Sequence, residues 1–121
     1  MDRLYFKATE NTPKIDFNPA LEYFEFSGKS IPEDSVGFYS PILEWLQTYA
    51  ESPNFKTTVS FKLEYFNTSS SKVLLDILYI LEKIKGVVVN WYYEEDDEDM
   101  EETAMDFNEV VDFEINLIKY N

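Results

Sequence analysis

The chain has 121 residues and a formal net charge of −14, from 24 acidic and 10 basic side chains, with no cysteine and no histidine. That charge repels phosphate backbones and anionic lipids, which argues against nucleic-acid or membrane-surface binding. Absent cysteines exclude disulfides and thiolate chemistry, and absent histidines remove the commonest general base and neutral metal ligand, so a non-enzyme without cofactor is expected.

No apolar run approaches the ~20 residues that span a bilayer. Met1-Asp2-Arg3-Leu4-Tyr5 lacks the basic and apolar regions of a signal peptide. A cytoplasmic protein with a single domain over residues 1–121 is the expectation. Ten Phe, nine Tyr and two Trp imply a sheet-containing core.

In chain order, Leu4 to Lys7 and Lys14 to Phe17 read as short strands, and Leu21 to Phe26 as a stronger one ended by a Ser27-Gly28 turn. Ser30 to Tyr39, with Pro32 and Gly37, reads as irregular. Ser40-Pro41 has the form of a helix start, followed by the stripe Ile42, Trp45, Leu46 and Tyr49 and the stop Ser52-Pro53. Thr57 to Phe66 alternates as a strand, with Val59, Phe61, Leu63 and Tyr65 on one face. A helix over Ser69 to Lys85 carries Val73, Leu74, Ile77, Leu78, Leu81 and Ile84, with Gly86 as its cap. Val87 to Tyr93 is β-rich. The acidic run Glu94 to Glu102 leads into a third helix ending near Asn108 to Val110, and Phe113, Ile115 and Leu117 mark a closing strand. Strands separated by helices favour parallel pairs. The predicted class is α/β, a mixed sheet flanked by helices.

Asn67-Thr68-Ser69-Ser70-Ser71-Lys72 lies where that central strand gives way to a helix. Backbone N–H groups in a first helical turn lack intrahelical partners and attract anions. Thr68 or Ser69 can serve simply as a cap, but one cap suffices, and Asn67 is itself a good one. The surplus hydroxyls make a candidate phosphorylation switch. Ser69 and Lys72 also match S-x-x-K, a nucleophile motif, so a small Ser/Lys hydrolase is an alternative; S-D-N and K-T-G are missing. Farther along the helix, Leu75 and Tyr79 lie off the main apolar stripe. They are either a wide core face or a partner patch beside the hydroxyls. The acidic run lacks the glycine of a calcium loop. It reads as a solvated, dipole-complementing helix start or as a docking surface for a basic partner.

Phe17-Asn18-Pro19, Gly28-Lys29-Ser30-Ile31-Pro32-Glu33, Phe38 to Leu46, Tyr65 to Lys72 and Trp91 to Met100 together resemble the SiaC family of bacterial regulatory phosphoproteins. The N-T-S-S-S-K and W-Y-x-x-x-D-D-E-D-M stretches are the most specific parts. The resemblance implies a partner switch. A Ser/Thr protein kinase would phosphorylate Thr68, with Ser69 and Ser70 as alternative acceptors, and a metal-dependent protein phosphatase would reverse it. The unmodified protein would bind and activate a diguanylate cyclase, affecting biofilm behaviour. Asn67, Thr68, Ser69, Lys72, Leu75 and Tyr79 are the expected partner-binding residues. The resemblance leads one to expect a glycine after the acidic run, where this chain has Glu101-Glu102-Thr103-Ala104-Met105-Asp106. The layout also resembles STAS-type anti-sigma-factor antagonists, at the level of fold alone. A constitutive adaptor, never modified at the hydroxyls, is a third reading.

Overall fold

Alternating side chains decide the sheet in the computed structural model, which describes residues 1–121. The strands are β1 (Leu4–Phe6), β2 (Lys14–Asn18), β3 (Tyr23–Ser30), β4 (Thr57–Phe66), β5 (Val87–Glu94) and β6 (Ile115–Tyr120). The helices are α1 (Ser35–Glu51), α2 (Thr68–Glu82) and α3 (Glu98–Val110), and Pro19–Leu21 forms a 3-10 turn. The six strands lie side by side in chain order. β1, β2 and β3 pair antiparallel; β3 to β6 pair parallel. Each parallel step needs a crossover, and α1, α2 and α3 supply them.

One sheet face is aromatic. Phe26 stacks on Phe61 at 4.5 Å, and Phe61 on Trp91 at 4.6 Å, following the strand register. α1 lays Trp45 over Phe17 and Tyr49 over Phe24, at 5.2 and 5.1 Å. α3 sets Phe107 5.6 Å from Trp91. α2 buries Leu74, Ile77, Leu78 and Leu81 beside α1. All three helices therefore cover the same face, as successive crossovers of one hand require.

The opposite face is polar. Glu25 sits between Lys14 and Lys62, at 2.7 and 3.3 Å, and also accepts from Ser27 at 3.0 Å and from the Tyr23 hydroxyl. Burial opposes the Glu25 charge. The hydrogen bonds from Lys14, Tyr23, Ser27 and Lys62 outweigh it and lower the pKa to about 2.

Several boundaries differ from the sequence reading. α1 starts at Ser35, where Asp34 caps it by accepting from the Gly37 N–H at 3.0 Å. Pro41 lies inside the helix rather than at its start. It forfeits one backbone hydrogen bond, which the buried stripe Tyr39, Ile42, Leu46 and Tyr49 offsets. β3 runs through Ser27 and Gly28 to Ser30, with Gly28 at φ +108°, and Leu21 belongs to the 3-10 turn. α2 ends at Glu82, so Gly86, at φ +75°, forms the turn into β5 and does not cap the helix. Phe113 precedes β6.

One departure bears on the site. Gly28 pairs with Leu63 but Lys29 pairs with Tyr65, so β4 carries an extra residue there. This bulge reverses the alternation. Tyr65 turns outward, 58% exposed, while Phe66 turns inward against Trp91 and Phe107.

Candidate functional site

The hydroxyl run forms the first turn of α2. Asn67 is the N-cap: its side-chain oxygen accepts from the Ser70 N–H at 2.9 Å, and its carbonyl from the Ser71 N–H at 3.0 Å. The Asn67 N–H in turn donates to the Ser30 carbonyl at 3.0 Å, tying the cap to the end of β3. Thr68 and Ser69 thus hold the first two helical positions, where N–H groups find no helical acceptor.

The hydroxyls are not equivalent. Ser70 is fully buried. Its Oγ donates to the Ser30 carbonyl at 2.9 Å and accepts from the Ser30 hydroxyl at 2.8 Å. The Ser30 hydroxyl also meets the Tyr39 hydroxyl at 2.5 Å, and burial pushes the Tyr39 pKa up to about 12. Ser70, expected as an alternative acceptor, is accordingly held as a structural hydroxyl and is closed to solvent in this fold. Ser69 is exposed but engaged, 2.6 Å from the Ser35 hydroxyl and donating to the Asn67 side chain at 3.1 Å. Thr68 is exposed, and its hydroxyl bonds to nothing else in the protein. Ser35 opens α1, so two helix N-termini meet beside Thr68.

Lys72 is exposed and forms no ion pair. Ser69 is held by Ser35 and Asn67 rather than by Lys72, so the nucleophile–base contact required by the S-x-x-K reading is not made. Leu75 is half-buried against the core, and Tyr79 is 40% exposed. Thr68, Lys72, Leu75 and Tyr79 are spaced i, i+4, i+7 and i+11, which places them on one helical stripe. Asn67 is half-buried at its head.

On the sheet side of the turn, the bulge presents Tyr65 above two adjoining hollows of about 200 and 150 Å³. Glu64 and Asp97 border both, and Asp99 borders the smaller. In the acidic run, Asp97 caps α3 by accepting from the Met100 N–H at 3.0 Å. Glu98, Asp99 and Glu101 fill the first turn, favourably placed for the dipole. α3 continues unbroken through Glu101-Glu102-Thr103. No group of three or more carboxylates is arranged to hold a metal ion.

Sequence reasoning missed Ser30, Ser35 and Tyr39, which fix the turn from outside. They lie in a stretch read as irregular, and only the tertiary fold brings Ser30 to Ser70 and Ser35 to Ser69, 40 and 34 positions apart. Nor is any helix long and apolar enough to cross a membrane.

Comparison with known proteins adds to this geometry. The family model described as "SiaC family regulatory phosphoprotein" matches residues 6–120. An uncharacterized protein of Pseudomonas aeruginosa is 28% identical over 117 residues, covering 93% of each chain. The crystal structure of apo-SiaC from Pseudomonas aeruginosa superposes with a TM-score of 0.88 at 27% identity, over 98% of this chain and 99% of that one. A chain in the crystal structure of the diguanylate cyclase SiaD in complex with its activator SiaC, also from Pseudomonas aeruginosa, gives 0.90 at 26% identity, over 97% and 99%.

Proposed function

The chain belongs to the SiaC family of regulatory phosphoproteins, and from that premise we propose that it is a partner switch acting in the cytoplasm: unphosphorylated, it binds and activates a diguanylate cyclase, and phosphorylation of Thr68 releases the cyclase. A Ser/Thr protein kinase adds the phosphate, and a metal-dependent phosphatase removes it. The single observation that carries this reading is the inequality of the hydroxyls: Thr68 alone is exposed and uncommitted where Ser69 and Ser70 are held. The partner role is supported by the similar SiaC, which is described as the activator of the cyclase it binds.

The mechanism is local electrostatics. A phosphate brings about −1.5 to −2 charges and three acceptor oxygens. The first-turn N–H groups and Lys72, one turn on, stabilise that charge within the protein. Thr68 heads the stripe of Lys72, Leu75 and Tyr79, and Asn67 and Ser69 adjoin it. A partner seated there meets a hydrated dianion and loses the cationic Lys72 to it. The frame beneath need not move, because Ser70, Ser30 and Tyr39 pin the turn.

The test is calorimetric titration of the cyclase from the same organism with unmodified protein, Thr68-phosphorylated protein and Thr68→Ala. The expected result is tight binding by the first and third and at least tenfold weaker binding by the second. Equal affinity of the phosphorylated and unmodified forms sinks the switch and leaves a constitutive adaptor.

A further inference from the structure

The end of the sheet opposite Thr68 exposes two large apolar side chains. β4 has ten residues, so at ~3.3 Å per residue its two ends are roughly 30 Å apart. At the far end Phe55 is fully exposed, and Leu21 is 74% exposed. Their loops are neighbours: the Asn54 side-chain amide donates to the Pro19 carbonyl at 2.9 Å.

Neither loop is slack. The Asn54 N–H donates to the Tyr49 hydroxyl at 3.1 Å, and that hydroxyl meets buried Thr57 at 2.8 Å. On the other side, the Asn18 side chain caps the Leu21 N–H at 3.3 Å. Glu22, directly after Leu21, is the one non-glycine residue at positive φ, 55°. This left-handed residue closes the 3-10 turn, its N–H donating to the Pro19 carbonyl at 3.1 Å. Two large apolar side chains are thus presented to water from a clamped frame, where ordering on binding costs little.

The charge at this end is also local. Pro53, Asn54, Phe55, Lys56, Lys85 and Gly86 line a hollow of about 530 Å³. Lys56 and Lys85 are its only charged residues, and neither is ion-paired. Glu22 and Glu51 are also exposed at this end but outside the hollow's lining; within the hollow, on a chain of net charge −14, two unpaired cations beside an exposed aromatic match the opposite sign.

We propose that the Leu21–Phe55 end is a docking surface for an acidic protein segment bearing apolar side chains. Phe55 and Leu21 supply the apolar anchor, and Lys56 and Lys85 the electrostatic match. The surface is independent of the Thr68 switch, so it serves both phosphorylation states, and it stands whether or not Thr68 is the acceptor.

The probe is a two-heptad helical peptide of leucine and glutamate, titrated into the isotopically labelled protein and followed by amide chemical shifts. Its control replaces the leucines with serine. Saturable shifts centred on residues 19–22, 53–56 and 85–86, absent with the control peptide, are expected. Phe55→Ser and the double variant Lys56→Glu/Lys85→Glu should each bind at least tenfold more weakly, with unshifted resonances elsewhere showing the fold intact. Thr68→Asp should bind within twofold of the native protein. Absence of saturable binding, undiminished binding by Phe55→Ser, or shifts centred on residues 68–79 would overturn the proposal.

Discussion

A carboxylate introduced at Thr68 and one introduced at Ser70 should have opposite fates, although the positions are two residues apart. Thr68→Asp puts a charge at the first position of α2, exposed and near unpartnered N–H groups. Helix-terminal anions stabilise by about 0.3–1 kcal/mol. The surrounding negative charge reduces that, so the net change should fall within about 0.5 kcal/mol of zero. Ser70→Asp puts the same group where exposure is zero, against the Ser30 carbonyl and hydroxyl. One hydrogen bond from Ser30 does not offset desolvation, and an uncompensated buried charge costs on the order of 3–5 kcal/mol. Against a typical total of about 5–15 kcal/mol, that is a large fraction. Urea denaturation at pH 7, read by tryptophan fluorescence and circular dichroism, measures both. Equal midpoints for the two variants, or a loss above ~1.5 kcal/mol for Thr68→Asp, would refute the assignment of one hydroxyl to the surface and the other to the frame.

Asn67→Ala removes the cap of α2 and should cost ~1 kcal/mol in the same assay, since the Ser70 N–H loses its acceptor; a variant as stable as native would mean Thr68 or Ser69 takes over as cap. Glu25 gives a pH dependence. Its folded pKa lies near 2 against an ordinary 4.5, so its stabilisation is complete above about pH 4.5 and is lost as pH falls towards 2. Glu25→Gln should be less stable than native at pH 6 yet lose less between pH 4.5 and 2.5, and parallel stability curves would contradict the network. Gly28→Ala places a side chain at φ +108° and should lower stability by about 1 kcal/mol or more, seen as a lowered thermal midpoint.

Where local pattern and tertiary pairing agree, the chain is easy to read. β4 follows from the alternation of Val59, Phe61 and Leu63, and α2 from the spacing of Leu74, Ile77, Leu78 and Leu81. Asn67 could be named as a cap because capping is a local event. Tyr65 was placed on the wrong face because the bulge depends on pairing with Lys29, thirty-six positions earlier, which no window on β4 contains. The start of α1 was missed because Ser40-Pro41 mimics a helix start more strongly than Asp34-Ser35 does. Gly28 signals a turn to any local rule, yet it bends a strand whose neighbours on both sides hold it extended. At the site, the run of hydroxyls was visible but their inequality was not. Ser70 is buried only because Ser30 and Tyr39 arrive from the first half of the chain.

The neighbour-to-neighbour strand order has a consequence for how the molecule forms. Every strand pairs with the one before it in the chain, so the sheet can assemble as the ribosome delivers it, one crossover at a time, without waiting for a distant segment to complete its middle. Each parallel pair still has to close over its crossover helix, which is slower than zipping the β2–β3 hairpin. The Ser30–Ser70 hydrogen bond spans forty positions, and the frame under Thr68 is complete once β3, α1, β4 and the first turn of α2 have met. β5, α3 and β6 then extend the sheet from an edge that already carries Thr68. The nascent chain thus builds the turn that holds Thr68 before it finishes the rim around it.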